Sequence, residues 1–519
     1  MGSIIEQNGI DSKQRGPVVY ENVSTAGLKL KGNSAPKPRF SAELRWVIVI
    51  TALGAIMALL DSTVVNVALH SLAASFTTSL VTIQWVVAAY LLALGGITPA
   101  TGWAARRFGS RRLYLVAITA FAATSLLCGL ATSAAELIGF RAVQGAAGGI
   151  LASVGQILLV QRAGPRNLAR ALGAVGTPML LAPILGPVIG GLLLVYASWH
   201  WIFFINIPIA LVTLLLGRRF LPADPPGQAA RLDLAGLAMI GLGMTGVIYA
   251  LAQIGVTGSA TSVSVLLPLA CGLGLTAAFV IRALRIAFPL LDMRLYRSLG
   301  YSAAALTTFA SGAAVLGGMI LLPLYFQTVR GDSAVTTGLL LMPSGIGAGL
   351  GMFLSGRVTE KIGAGRCAGA GGIILIALTV PLAFLTASSS YVTISLVTAC
   401  RGVGIGLITM PAMTAAFRAI GPAHLNDAAP QLNMLQRIGG SVGTAAFAVV
   451  LQARLHPSAG GLGRPATAFD AAFWSVLGAA VVATLPTILI AISEQRSSSR
   501  VEAGRSASLS DGLQAGDEA

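Results

Sequence analysis

Residues Trp46 to Leu69 read WVIVITALGAIMALLDSTVVNVAL, a run of apolar, small and hydroxyl-bearing residues broken by one carboxylate, Asp61. About 20 such residues cross the hydrocarbon of a bilayer as a helix, so the run predicts a membrane span. A carboxylate inside it is costly, which points to a task. Of the 18 acidic residues in the chain, Asp61 is the only one well inside an apolar run; Glu136, the next nearest, stands at the mouth of another. A single protonatable carboxyl in such a setting is the simplest device for coupling proton movement to a conformational change, because protonation removes most of its desolvation cost. The plainer reading ties Asp61 permanently to an arginine or to backbone groups.

The rest of the chain follows the same pattern. With 55% hydrophobic and 10% charged residues, its 519 residues do not divide into ordinary soluble domains. About fourteen runs are long enough to span: 46–69, 82–103, 112–132, 136–160, 168–195, 200–221, 234–254, 261–282, 301–326, 336–356, 368–387, 390–417, 430–452 and 470–492. The expected fold is an all-α polytopic membrane protein. The net charge of +16 is distributed by connection rather than gathered on one surface, which argues for topology and against nucleic acid as the partner. Arg106, Arg107, Arg111 and Arg112 follow the second run. Later even-numbered connections carry Arg162, Arg166 and Arg170, then Arg218, Arg219 and Arg231, then Arg282, Arg285, Arg294 and Arg297, then Arg357, Lys361 and Arg366, then Arg418. Odd-numbered connections hold little beyond Arg330, Arg454 and Arg464. The positive-inside bias makes the even connections, and both termini, cytoplasmic. The 6 tryptophans all fall near expected span ends, as an aromatic belt requires.

Residues 1–45 are polar and basic without the apolar core of a signal peptide, and 493–519 are Ser-rich; both are expected to be disordered cytoplasmic segments, the first touching anionic lipid headgroups. Cys128, Cys271, Cys367 and Cys400 are scattered without ligand or disulfide spacing. His70, His200, His424 and His456 all fall in connections. There is no Walker loop and no GxSxG or dinucleotide fingerprint. An enzyme, an ATP-driven pump, a metal site and an organic cofactor are therefore not expected.

The chain repeats internally. Gly102-Trp-Ala-Ala-Arg106-Arg107-Phe108-Gly109-Ser-Arg111-Arg112 and Gly356-Arg357-Val-Thr-Glu360-Lys361-Ile362-Gly363-Ala-Gly365-Arg366 share the spacing of Gly, basic, apolar, Gly and Arg, and Arg141 matches Arg401. The expected organisation is a six-helix half over 46–221, two inserted helices with their connections over 222–299, and a second half over 300–492. Paired six-helix halves around a central path are a transporter plan.

At these residues the chain resembles the major facilitator superfamily, and within it the fourteen-helix drug:proton antiporter branch. Leu60-Asp61-Ser62-Thr63-Val64-Val65-Asn66-Val67-Ala68-Leu69 is similar to that branch's first-helix signature. Arg141-Ala-Val-Gln144-Gly145 resembles a segment whose buried arginine is linked to proton transfer. Gly186-Pro187-Val-Ile-Gly190-Gly191 resembles the antiporter motif, and Trp199-His200-Trp201-Ile-Phe203-Phe-Ile-Asn206-Ile-Pro208 the junction after it. Glycines there let backbones approach closely, and Pro187 removes a backbone bond, so the stretch can bend. The sequence departs from the pattern at Arg106, where the family has an acid that helps close the cytoplasmic side, at His200, at Ala182, and at Gln436-Arg437, which the family more often has in the reverse order.

Asp61 and Arg141 are expected at similar depths, roughly 12 Å and 8 Å below the outer surface, within reach of each other. They are the proton-coupling candidates. Asn66, Gln144, Gln156, Gln431 and Asn433, polar positions on apolar helices, are the substrate-cavity candidates; Gly102, Arg106, Arg107, Gly109, Arg111, Arg112, Gly186, Pro187, Gly190, Gly191, Gly356, Glu360 and Gly363 are the gating candidates. Arg106 beside Arg107, Arg111 and Arg112 concentrates like charge, which favours opening inward unless Glu360 or anionic lipid offsets it, so Arg106→Asp is expected to raise the outward-facing fraction. The function implied is proton-coupled export of drugs, antibiotics or hydrophobic metabolites by a monomer in the plasma membrane, the substrate being lipophilic or amphipathic and of either no charge or positive charge. A facilitator or importer of a small solute, and a receptor or scaffold on a transporter frame, are the alternatives.

Overall fold

Ser41 accepts a hydrogen bond from the Leu44 amide and starts the first helix, α1, at Ala42, after which it runs without interruption to Ser75. The protein is described by a computed structural model covering residues 40–179, 182–224, 232–257, 261–286, 288–420, 424–455 and 465–496. Of the two end segments expected to be disordered, only 40–45 and 493–496 fall among these, and they continue α1 and the last helix. Arg231, His456 and Arg464 lie outside the described residues.

Thirteen helices among the described residues are long and apolar enough to cross a membrane. In chain order they are α1, α2 (Thr82–Phe108), α3 (Ser110–Gly129), α4 (Ala134–Gly164), then α6 (His200–Phe220), α7 (Leu234–Ile254), α8 (Val263–Arg285), α9 (Leu299–Thr328), α10 (Thr336–Ile362), α11 (Ala364–Phe384), α12 (Tyr391–Arg418), α13 (Leu425–Leu451) and α14 (Phe469–Arg496). The remaining expected span, α5, consists of 165–179 and Ala182–Tyr196. Gly164, at φ 62 and ψ 170, breaks the direction between α4 and α5.

Two further glycines place the basic loops. Gly109 (φ 85) and Gly363 (φ 90) occupy the left-handed region and start α3 and α11, where a side chain would be strained. The bare amides of those helix starts are then clamped by carboxylates from the end of the sixth and the fourteenth helix. Asp224 accepts from Arg111 N at 2.8 Å and Arg112 N at 3.0 Å; Glu494 accepts from Ala364 N at 3.1 Å and Gly365 N at 2.9 Å. Each contact satisfies orphan donors and places negative charge at the positive end of a helix dipole.

The apolar core is divided along the membrane normal. At the end bearing the Gly102–Arg112 and Gly356–Arg366 loops, called the basic end here, one cluster joins both sets of six helices, from Val47, Tyr114 and Leu158 to Tyr301, Met413 and Phe417. At the far end, Val64, Leu72, Leu137 and Phe203 form one cluster within α1–α6, and Tyr325, Phe326, Leu382 and Phe473 another within α9–α14. The two sets of helices thus share one apolar cluster at the basic end and have a cluster each at the far end. Helices α7 and α8 pack on each other, and α7 also touches α2 and α13. Opposite α13, helix α9 contains a π turn over Ala313–Gly317, where the ideal Cβ of Gly317 would come within 2.6 Å of the Gly443 backbone. Such a turn relieves a close helix contact and breaks the regular ladder.

Candidate functional site

Asp61 lies on α1 about 21 Å along the helix from Ser75, deeper than expected because α1 continues past Leu69. Its side chain is fully buried, as are Arg141, Gln144 and Asn206. Arg141 Nη1 donates to Asp61 Oδ2 at 2.5 Å, Gln144 Nε2 to Oδ1 at 3.2 Å, and Asn206 Nδ2 to Oδ1 at 2.8 Å. Arg141 and Gln144 are one turn apart on α4, so they share a face; Asn206 comes from α6, and Ser125 from α3 completes the group. Ser125 Oγ accepts from Gln144 at 2.9 Å and from Asn206 at 3.0 Å and donates to the Phe203 carbonyl at 3.0 Å. Arg141 Nη1 also donates to Gln144 Oε1, its Nε reaches the Val86 carbonyl, and its guanidinium lies 4.2 Å from the Tyr90 ring centre.

A counter-ion and two neutral donors surround the carboxylate, the condition under which a buried charge is tolerable. Two polar atoms stay unmatched, Arg141 Nη2 and Asn206 Oδ1, so the network is not saturated. Removing the charge of Asp61 would leave Arg141 uncompensated in an apolar interior, and a change of helix packing is the available relief. Gly186 and Gly190 of α5 lie directly against α1 beside this group; a Cβ on Gly186 would overlap the Thr63 side chain, and one on Gly190 would come within 3.1 Å of Val64 Cγ1. The motif helix therefore rides on the coupling helix. Gly191 faces open space, and Pro187 continues the same helix.

At the basic end the two sets of helices are latched by polar contacts. Arg106 Nη1 meets Asp427 Oδ1 at 2.7 Å, and Arg170 Nε stands 4.0 Å from Glu360 Oε1. Gln161 Nε2 donates to Asn426 Oδ1, and Asn433 Nδ2 to Gln156 Oε1 at 2.8 Å. Close backbone approaches accompany them: Gly102 packs on the Asn426 carbonyl, Gly173 on that of Met352, and Gly356 within 2.7 Å of Arg170 Cα, distances that apply to an added Cβ. Arg106 is expected to concentrate like charge unless Glu360 or anionic lipid offsets it; the acid it meets is Asp427 on the facing helix. Arg107 and Arg112 are exposed, and Arg111 Nη2 donates to the Arg218 carbonyl.

Among the cavity candidates, Gln156 and Asn433 join the two halves, whereas Gln144 belongs to the Asp61 group. Gln431 is buried between Tyr301 Oη and the Asp292 carbonyl, which ties α13 to the segment after α8. Asn66 is exposed and bonds to the Ser62 carbonyl of its own helix. The sequence places Asn206 in a motif but names no partner for it; its position as the one amide in the apolar start of α6 is the usable signal. Asp427 was missed because the thirteenth span was expected to begin at Pro430, whereas the helix begins at Leu425 and carries Pro430 within it. Among the described residues, no group of three His, Cys, Asp or Glu could hold a metal ion.

Thirteen helices long and apolar enough to span among the described residues, an ion pair buried between helices and polar contacts gathered at the basic end fit the plan of a membrane transporter. The chain belongs to the Major Facilitator Superfamily, whose profile matches residues 51–444. It is similar to the multidrug resistance protein B homolog of Mycobacterium tuberculosis, with 34% identity over 439 residues that cover 84% of this chain and 81% of the relative. The methylenomycin A resistance protein of Streptomyces coelicolor is 32% identical, with 78% and 85% covered. The lincomycin resistance protein of Listeria monocytogenes is 29% identical, with 78% and 86% covered. A crystal structure of the human organic anion transporter MFSD10 superposes with a TM-score of 0.57 at 15% identity, over 87% of this chain and 100% of that one, and shares the fold. The protein is a multi-pass membrane transporter and not an enzyme.

Proposed function

We propose that this transporter exports amphipathic drugs or antibiotics across the plasma membrane in exchange for protons, with Asp61 as the proton carrier. The observation that carries the reading is the Asp61 group itself, a fully buried carboxylate held by Arg141, Gln144 and Asn206 beside the α1–α5 glycine contact. The names of the relatives, which refer to resistance to several drugs, to methylenomycin and to lincomycin, support the substrate class. The arginine-rich connections support a cytoplasmic basic end and cytoplasmic termini. On that orientation the polar latch faces the cytoplasm. Residues 46–221 and 300–492 act as the two moving halves, and 222–299 as an insertion seated beside their interface.

The cycle follows from the contacts. In the outward state the proton reaches Asp61, releases Arg141, and loosens α1 against α5. The latch at Arg106–Asp427 and Arg170–Glu360 then separates, the proton leaves inward, and the substrate enters from the cytoplasmic side or inner leaflet. Inside-out vesicles test this reading: Asp61→Asn should fold and insert normally yet show no pH-gradient-driven accumulation of a fluorescent drug. Undiminished gradient-driven accumulation by that variant would mean that Asp61 is only a structural partner of Arg141.

A further inference from the structure

Three arginines lie deep within spans among the described residues, and they are not equivalent. Arg141 is paired with Asp61. Arg401 of α12 turns into its own half, donating from Nε to Thr379 Oγ1 at 3.1 Å and lying beside Gly318 of α9. Arg437 of α13 has neither a hydrogen-bond nor an ion-pair partner among the described residues. It stands about 18 Å along the helix from Leu425, one turn above Asn433 and on the same face. Asn433 meets Gln156 of α4, so that face looks across the interface. Its side chain is half-buried, not sealed, at this depth.

The order of two residues decides this placement. Adjacent helical positions point about 100° apart. Gln436 lies on the side of α13 that packs against Gly312 of α9 within the second half, and the family's commoner order would put the arginine there. Here the guanidinium stands instead on the face that bears Asn433, directly above the Gln156–Asn433 contact that closes the cleft toward the basic end. Beside that contact, Met413 accepts a hydrogen bond from Gln156 Nε2, so the floor is polar at its centre and soft and apolar at its edge.

We propose that Arg437 is a substrate-recognition residue, and that the compounds carried are amphipathic monoanions, with a carboxylate, sulfonate or acidic phenolate seated on its guanidinium. The proposal rests on the exporter reading and names its substrate class. Part of the Arg437 side chain stays exposed in this state. Closing the halves over it removes that exposure, and a guanidinium without a counter-ion is then costly. Asp61, the one carboxylate at comparable depth, is already held by Arg141. An anionic substrate supplies the missing charge, whereas a lipophilic cation meets like charge. Lysine at this position would keep a point charge but lose the flat, two-pronged donor geometry. Exporting a monoanion against one entering proton also moves two positive charges inward, so a membrane potential that is negative inside would drive the exchange, while exchange of a monocation for one proton would move none.

The test uses the full chain in lipid nanodiscs and two probes with one scaffold: 8-anilinonaphthalene-1-sulfonate and N-phenyl-1-naphthylamine, the same molecule without the sulfonate. With binding to empty nanodiscs subtracted, the wild-type protein should hold the sulfonate about tenfold more tightly than the neutral amine, the size expected of one charge-assisted contact. Arg437→Gln should abolish that preference while leaving binding of the neutral amine within about twofold, and Arg437→Lys should keep most of it. A preference undiminished in Arg437→Gln overturns the proposal. If that variant does not fold, the wild-type protein still decides: no preference for the sulfonate over tetraphenylphosphonium overturns it equally. Gradient-driven export of tetraphenylphosphonium without any sulfonate preference would refute the anion site and leave the exporter reading intact. Sulfonate binding that depends on Arg437, in a protein showing no gradient-driven flux, would do the reverse.

Discussion

Arg106 and Asp427 invite a charge-exchange experiment, because the pair joins α2 to α13 exactly where the two halves must part. The contact is 2.7 Å, and the two side chains are only 18% and 12% exposed. Fully exposed pairs contribute about 0.2–1 kcal/mol and charge-assisted hydrogen bonds about 1.5–3 kcal/mol. A pair this sheltered falls between, at ~1–2 kcal/mol, and Asp292 nearby subtracts some of it by repelling Asp427. Arg106→Asp removes the attraction and sets two acids face to face, so the ratio of latched to unlatched protein should fall about 5- to 30-fold. The sign is opposite to the one expected from the crowding of Arg106 with Arg107, Arg111 and Arg112. Asp427→Arg should act in the same direction, and the double exchange Arg106→Asp/Asp427→Arg should restore most of the latched population. Single cysteines placed on either side of Asn433, after replacement of the exposed Cys271 and Cys400, would report it through their rates of labelling from each face. If the double exchange labels like the single variants, or if Arg106→Asp alone changes nothing, the latch is not electrostatic and the reasoning fails.

Other outcomes follow from the same contacts. Gly356→Val should shift labelling toward the inward-open pattern, because even a Cβ at that position comes within 2.7 Å of Arg170 Cα in the latched state; a latched population equal to wild type would count against it. Glu494→Ala removes the acceptor for the Ala364 and Gly365 amides, and thermal unfolding in detergent should show a loss of about 1 kcal/mol. Asn206→Leu leaves Asp61 and Ser125 each short of a donor, which should lower stability by about 1–3 kcal/mol and reduce export more than surface expression.

The large features were legible because the bilayer imposes them. Run length marks spans, basic residues mark connections, and a carboxylate within hydrocarbon stands out against everything around it, so Asp61, Arg141 and the repeated loops were found from the residues alone. What was not legible is which way a polar side chain faces. Gln144, Gln156, Gln431 and Asn433 look alike in sequence, each a lone amide on an apolar helix, yet one holds Asp61, two bridge the halves, and one fastens α13 to Asp292. Helical phase relative to a neighbour depends on packing, and packing here is set by glycines such as Gly102 and Gly173, whose partners are hundreds of residues away. Asp427 was hidden by a shift of five residues in a helix start, since proline was read as the beginning of α13 rather than as an early interior residue.

The two carboxylate clamps also say something about how the chain is built by the ribosome. Every atom of the first clamp lies between Gly109 and Asp224, so α1 to α6 can close on themselves as soon as residue 224 has been inserted. The second clamp joins Ala364 and Gly365 to Glu494 and has to wait for α14. Domains tend to fold as units, the N-terminal one first, and the first six helices can therefore reach their own packing, buried ion pair included, while the last six are still being made. During that interval Arg106 and Gln156 await the acid and the amide that α13 will bring. The nascent protein thus carries a half-finished latch on its basic end, and closing it is the step by which the second set of helices recognises the first.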